Sequence, residues 1–355
     1  MSADPFEACA KWRGIRVAVL GGLIAFLISA CASPAYLWQA TQGHLRLMSQ
    51  RQELDSVLND PTTSNALRAE LEQIQTLLDF AESELDLPAG DSFGSVVLTK
   101  GPVTWNVVAA PEFSLQALRW CFPVAGCVPY RGYFDLAEAE AFAARLESRG
   151  HDVRVSAVSA YSTLGWFDDP LIAREDELGA ARFWGTIIHE LAHQRFYIRG
   201  ESHFNESYAQ FMEETGLEAW LSRGDDAQGL DAWQAARIKQ QRFNARLQQT
   251  RSTLEALYSS GAGAEAMRRQ KQAELENLAE ATLTNGSSDS FNNADLALLA
   301  LYRGGVCAFR QLYEEVGGNA LAFHEQIDDL TRLDHEQRKR WLSRECTDIA
   351  SDREL

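Results

Sequence analysis

The sequence predicts an α+β fold in which helices predominate, with a small mixed sheet ahead of one motif-bearing helix and a long helical hairpin behind it. Three observations lead there. Apolar residues recur at helical spacing near the start, as in Leu67, Leu71, Ile74, Leu77 and Leu78. Short β-branched runs cluster between residues 96 and 158. A stretch rich in Gln, Ala, Arg, Glu and Leu runs from Asp225 to Thr284 and is interrupted at Gly261-Ala262-Gly263-Ala264. At 355 residues, 46% hydrophobic and 10% aromatic, the chain can fill a real core. Its net charge of −17 argues against non-specific nucleic-acid binding and against a polybasic membrane patch.

Residues 1–30 read as targeting rather than fold. Lys11, Arg13 and Arg16 precede an apolar run from Val17 to Ile28, too short to span a bilayer comfortably. The run ends in Leu27-Ile28-Ser29-Ala30-Cys31, which resembles a bacterial lipobox, with Cys31 as the lipid-modified first residue of the mature chain. That reading implies export and a membrane tether facing the periplasm. Ala32, rather than aspartate, after Cys31 favours the outer membrane in a Gram-negative host. Export also suits the cysteines. Cys121 and Cys127 bracket a Pro/Gly loop that can close as a disulfide, and Cys307 with Cys346 is the weaker candidate pair.

The elements follow in order. Residues 31–90 form a helical segment, broken at Asn59-Asp60-Pro61 and ended by Leu87-Pro88-Ala89-Gly90. Strands are expected at Val96–Leu98, Val103–Val108, Tyr130–Phe134 and Val153–Val158, with an alanine-rich helix from Leu136 to Arg149. The loop from Tyr161 to Pro170 offers Tyr161 and Trp166 either as substrate contacts or as residues packed under a turn. Residues 91–224 make the core carrying the motif. Residues 225–285 make the helical hairpin, either a packed subdomain or a lid, and 286–355 complete the domain with helices. In that last part Tyr302 is a candidate oxyanion donor, and Asn292 and Asn293 are either substrate contacts or a helix cap. His44, His151, His324 and His335 are read as surface residues or as having no partner.

The chemistry centres on His189-Glu190-Leu191-Ala192-His193. Two histidines four apart share one helix face, so both imidazoles can reach one metal ion, and the glutamate between them can reach a water beside it. Thirteen residues on, Glu206 in Phe204-Asn205-Glu206-Ser207 stands in the first turn of a second helix, capped by Ser202 or Asn205, and supplies the third ligand. His203 is the rival. Gly200 suits the end of the first helix. The H-E-x-x-H followed by N-E-x-x-A resembles the gluzincin metallopeptidases. The order of a sheet before the metal helix is that of a zincin, whose preceding strand, here Val153–Tyr161 or the segment after it, pairs with substrate backbone.

The resemblance extends further. The lipobox, Trp120-Cys121-Phe122-Pro123, Tyr130-Arg131-Gly132-Tyr133-Phe134, Ala160-Tyr161-Ser162-Thr163-Leu164-Gly165-Trp166-Phe167, the H-E-x-x-H and Phe204-Asn205-Glu206-Ser207 occur together. In this order they resemble the bacterial putative-aminopeptidase family of zinc-dependent lipoproteins. The resemblance implies Zn2+ and a peptide substrate, with Glu190 as general base and His189, His193 and Glu206 on the metal. The G-x-M-E-N segment with which large gluzincin aminopeptidases hold the substrate amine is absent, so exopeptidase action is implied by the family alone. A zinc amidase of cell-wall peptides and a non-catalytic lipoprotein are the alternatives.

Overall fold

The structure is a computed structural model describing residues 34–90, 92–122, 126–158, 169–174, 180–223, 227–282, 290–303 and 305–344. The expected leader, Cys31, Tyr161, Trp166 and Cys346 lie outside those residues. The described residues begin with four helices, α1 (Pro34–Met48), α2 (Leu54–Asn59), α3 (Asn65–Glu72) and α4 (Ile74–Leu85). The break expected near Pro61 is a turn in which Asp60 Oδ1 accepts from the Thr62 amide and hydroxyl, both at 2.7 Å. Ser64 then caps α3 by accepting from the Leu67 amide. Among the described residues no helix is long and apolar enough to cross a membrane.

In place of the expected single mixed sheet, the described residues form two three-stranded sheets and a two-stranded hairpin. In the first, β2 (Ser95–Thr99) pairs antiparallel with β1 (Gln52–Glu53) and parallel with β8 (Leu171–Arg174). In the second, β3 (Thr104–Pro111) lies between β6 (Arg131–Tyr133) and β7 (His151–Val158), antiparallel to both. The stretch read as a Pro/Gly loop is itself a hairpin of β4 (Trp120–Phe122) and β5 (Gly126–Val128). Cys121 faces Cys127 across it, and the two are disulfide-bonded. Cys307 is disulfide-bonded as well. Helix α5 (Leu136–Glu147), capped by Asp135, covers the second sheet by packing Ala139, Ala143 and Leu146 on Val107, Ala109 and Val153.

Two helices run through the centre, α6 (Ala180–Arg195) and α7 (Ser202–Arg223). Residues 204–209 of α7 are all buried, so this helix has no solvent face over its first turns. Phe204, Tyr208 and Phe211 meet Phe309 and Phe323 in an aromatic cluster behind the motif. The long hairpin is α8 (Ala227–Ser259) and α9 (Ala264–Thr282), turning at Gly261 with its left-handed φ of 71°. It is seated rather than free. Leu247, Leu254, Leu275 and Leu278 pack with Leu115 and Leu296, and Lys271 Nζ donates to Asp152 Oδ2 at 2.6 Å.

Four helices close the fold, α10 (Asn293–Arg303), α11 (Val306–Glu315), α12 (Ala320–Leu330) and α13 (His335–Leu342). His324 corrects the expectation of a surface histidine, being only 1% exposed. It stands on the inward face of α12 with Phe323 and Ile327. Its Nδ1 meets Asp86 Oδ2 at 3.0 Å and its Nε2 meets the Tyr208 hydroxyl at 2.8 Å. Burial, helped by the nearby Arg195 charge and only partly opposed by Asp86, brings its pKa down to about 4. The neutral ring therefore donates from Nδ1 and accepts at Nε2.

Candidate metal centre

Helix α6 presents His189 and His193 one turn apart, with ring centroids 4.8 Å apart. Five residues past its end the chain reverses through Gly200, whose left-handed φ of 81° suits a residue without Cβ, and enters α7. The cap expected from Ser202 or Asn205 is not how α7 begins. The Ser202 hydroxyl has no hydrogen-bond partner, while the Asn205 amide holds the loop, accepting from the Ile198 amide at 2.9 Å and donating to the Ile198 carbonyl at 2.8 Å. That double bond fixes the reversal and leaves the next side chain, Glu206, facing α6.

Glu206 Oε2 lies 3.5 Å from His189 Nε2 and 3.6 Å from His193 Nε2. One donor atom from each of the three residues lies within 4.8 Å of the others. A four-coordinate ion with bonds of about 2.1 Å sets its ligand atoms about 3.4 Å apart, which both Glu206–histidine distances match, so this trio is able to hold a metal ion. His203 is not in the group. Burial and the charge of Arg251 hold its pKa below the usual imidazole value, against the opposing pull of Glu201. Burial would raise the Glu206 carboxyl, but the His193 charge and hydrogen bonds from both imidazoles outweigh it and hold the pKa at about 2.

Sequence reasoning missed the residue that orients this group. Glu213 Oε2 sits 3.0 Å from His189 Nδ1, which turns the Nε2 side of the ring toward Glu206. Glu213 follows Glu206 by seven residues, two helical turns, so one face of α7 carries both carboxylates. Gly185 on α6 makes room for it, since a Cβ there would stand 3.3 Å from Glu213 Cγ and Oε1. The spacing of seven was the available signal.

Two phenols border the group. The His193 and Tyr197 ring centroids are 6.3 Å apart, edge to face. Tyr130 precedes β6 and follows the disulfide hairpin, which is docked on the α6–α7 loop. Arg119 Nη2 donates to the Cys127 carbonyl at 2.7 Å and the Gly200 carbonyl at 2.6 Å, and a Cβ on Gly126 would lie 2.8 Å from the Gly200 nitrogen. Burial pushes the Tyr130 hydroxyl well above its usual pKa, and the charges of Glu206 and Glu190 add to the rise. Burial, then Glu206, raises Tyr197 likewise. Both therefore remain hydrogen-bond donors at any ordinary pH.

Glu190 is half-buried and lines a small cleft with Phe93, Leu171, Ile172, Phe183 and Thr186. The strand in that cleft is β8, which immediately precedes α6. Among the described residues its edge away from β2 has no strand partner. A model of the family described as putative aminopeptidase matches residues 35–342. The chain belongs to this family. Comparisons with curated proteins and with solved structures gave no match. Membership in the putative-aminopeptidase family points to a peptidase and a peptide substrate, and the His-His-Glu group supplies a site able to bind a metal ion.

Two of the other residues expected at the site, Asn292 and Asn293, belong to the scaffold. Tyr302 belongs to α10, and its side chain lies outside the described part of the chain. Asn293 is fully buried. Its amide donates to the Pro111 and Glu112 carbonyls at 3.1 and 2.9 Å and accepts from the Tyr258 hydroxyl at 2.8 Å. Asn292 donates to the Val153 carbonyl at 3.0 Å and accepts from the amide of Ala294 at 2.8 Å, capping α10. The helix-cap reading is the one observed, because the start of α10 must be tied to the ends of β3 and β7.

Proposed function

We propose that the chain is a zinc-dependent peptidase, an aminopeptidase by family, tethered to the membrane through a lipid on Cys31 and facing the periplasm. The observation that carries the reading is the convergence of His189, His193 and Glu206 with Glu190 on the adjoining cleft. A Zn2+ ion held by those three side chains supplies a Lewis acid, which lowers the pKa of water and polarises a carbonyl.

The chain's own residues do the rest. Glu213 holds His189 in the tautomer that leaves Nε2 free to ligate. Glu190 accepts the proton of the attacking water and returns it to the leaving amine. The Tyr130 hydroxyl donates a hydrogen bond to the oxygen that becomes negative, a role for which Tyr302 is also a candidate. The free edge of β8 receives the peptide backbone by strand addition, which aligns the scissile bond over α6.

The test is Glu190→Gln in the full chain. The expected result is loss of peptide hydrolysis with stoichiometric zinc retained. Turnover equal to wild type with zinc bound rejects the assignment of the base, and wild-type protein without zinc or peptide turnover rejects the function.

A further inference from the structure

Helix α1 turns two large apolar side chains directly away from the protein. At about 100° per residue, Tyr36, Gln39, Gly43 and Leu47 share one face, and that face is docked. Tyr36 packs against Phe122 and Tyr133 with centroids 5.5 Å apart in each case. Gln39 Nε2 donates to the Gly132 carbonyl and its Oε1 accepts from the Phe134 amide, both at 3.3 Å. A Cβ on Gly43 would fall 2.1 Å from the Phe134 ring, so helix and strand are in close contact. Trp38 and Leu45, seven residues apart, project from the opposite side within about 20° of each other. They are 65% and 61% exposed, the two most exposed large hydrophobics among the described residues.

The surrounding chain says what covers them. Cys31 stands three residues before Pro34, a reach of about 10 Å at most. A lipid on Cys31 therefore holds the start of α1 at a bilayer surface. No Asp or Glu occurs between Glu7 and Glu53 in a chain that has 50 of them, and Arg46, next in sequence to Leu45, is exposed, as is Arg51. Anionic headgroups meet no like charge on this segment despite the net charge of −17. Tryptophan favours the headgroup layer, where its ring is apolar and its N–H stays wet.

We infer that the outer face of α1, centred on Trp38 and Leu45, lies in the headgroup layer of an anionic phospholipid membrane, so that the lipid tethers the domain and this face orients it. The inference rests on the lipoprotein reading for the tether and goes beyond it in assigning the face. Because α1 is docked on β6, next in sequence to Tyr130, the orientation carries over to the phenol bordering the His-His-Glu group.

The experiment uses the full chain as isolated from membranes, reconstituted in phosphatidylethanolamine–phosphatidylglycerol vesicles with brominated acyl chains. Tryptophan quenching in wild type is compared with Trp38→Phe and Leu45→Glu, and mass spectrometry of the N-terminal fragment reads Cys31 separately. The expected result is a bromolipid-quenched component in wild type that Trp38→Phe removes and Leu45→Glu strongly reduces. Lipidated Cys31 with the same quenching in wild type and Trp38→Phe overturns the face and leaves the tether standing. Unmodified Cys31 with quenching that depends on Trp38 overturns the tether and leaves the face standing. A dimer in solution that Leu45→Glu converts to monomer, without lipid quenching, overturns the proposal in favour of a second copy of the chain.

Discussion

Removing the carboxylate behind His189 should weaken metal binding by an amount the geometry sets. Glu213 Oε2 is 3.0 Å from His189 Nδ1, with side-chain exposures of 31% and 13%. A hydrogen bond to a charged acceptor contributes about 1.5–3 kcal/mol, and loss of such an outer partner costs about 10–100-fold in metal affinity, or about 1.4–2.8 kcal/mol. The two ranges agree. Glu213 is partly open to solvent, so the lower part of the range applies to Glu213→Gln, which keeps an acceptor oxygen: about 10-fold. Glu213→Ala leaves Nδ1 without its acceptor and should cost about 30–100-fold. Competition against a chromophoric chelator at fixed pH measures both. Unchanged affinity in Glu213→Ala protein with native melting would refute the orienting role, and with it the reason for Gly185 opposite Glu213.

Three other outcomes are expected. Tyr130→Phe should lower kcat/KM on peptides by about 100–1,000-fold while leaving metal affinity in the chelator assay unchanged; a loss confined to metal binding would speak against the donor role. His324, with its folded pKa near 4 against an ordinary imidazole value of 6.5, contributes stability that is complete above pH 6.5 and lost as the pH falls through about 4. The full effect is about 3 kcal/mol, so urea midpoints should fall along that acid limb and His324→Gln should flatten it. Gly216→Ala places a Cβ 2.7 Å from Leu85 Cδ1 and 3.0 Å from Ile188 Cγ2. Overpacking of about 1–3 kcal/mol should outweigh a helix-propensity gain of about 1 kcal/mol, read as a lower denaturation midpoint.

The N-terminal helices, the Leu136–Glu147 helix, and strands β3 and β7 stand within a few residues of where periodicity puts them. Their signals are local, since a helix or strand repeats its face every few residues regardless of what packs on it. The convergence of His189 and His193 was legible for the same reason, being one turn of one helix. Strand β8 was not, because four residues beside a proline carry too little pattern.

Taken alone, the chain's sequence determined the pair of imidazoles one turn apart, the glutamate between them and the carboxylate on the following helix. All of these depend on spacing along a backbone of known pitch. Only the tertiary structure decided that Glu213 backs His189, that the disulfide hairpin preceding Tyr130 is seated on the α6–α7 loop, and that Asn293 belongs to the scaffold. It also decided that His324 pairs with Asp86, 238 residues away. Those partners meet because separate elements bury their apolar faces against one another, and a side chain's own neighbourhood in sequence holds no record of which surface will arrive opposite it.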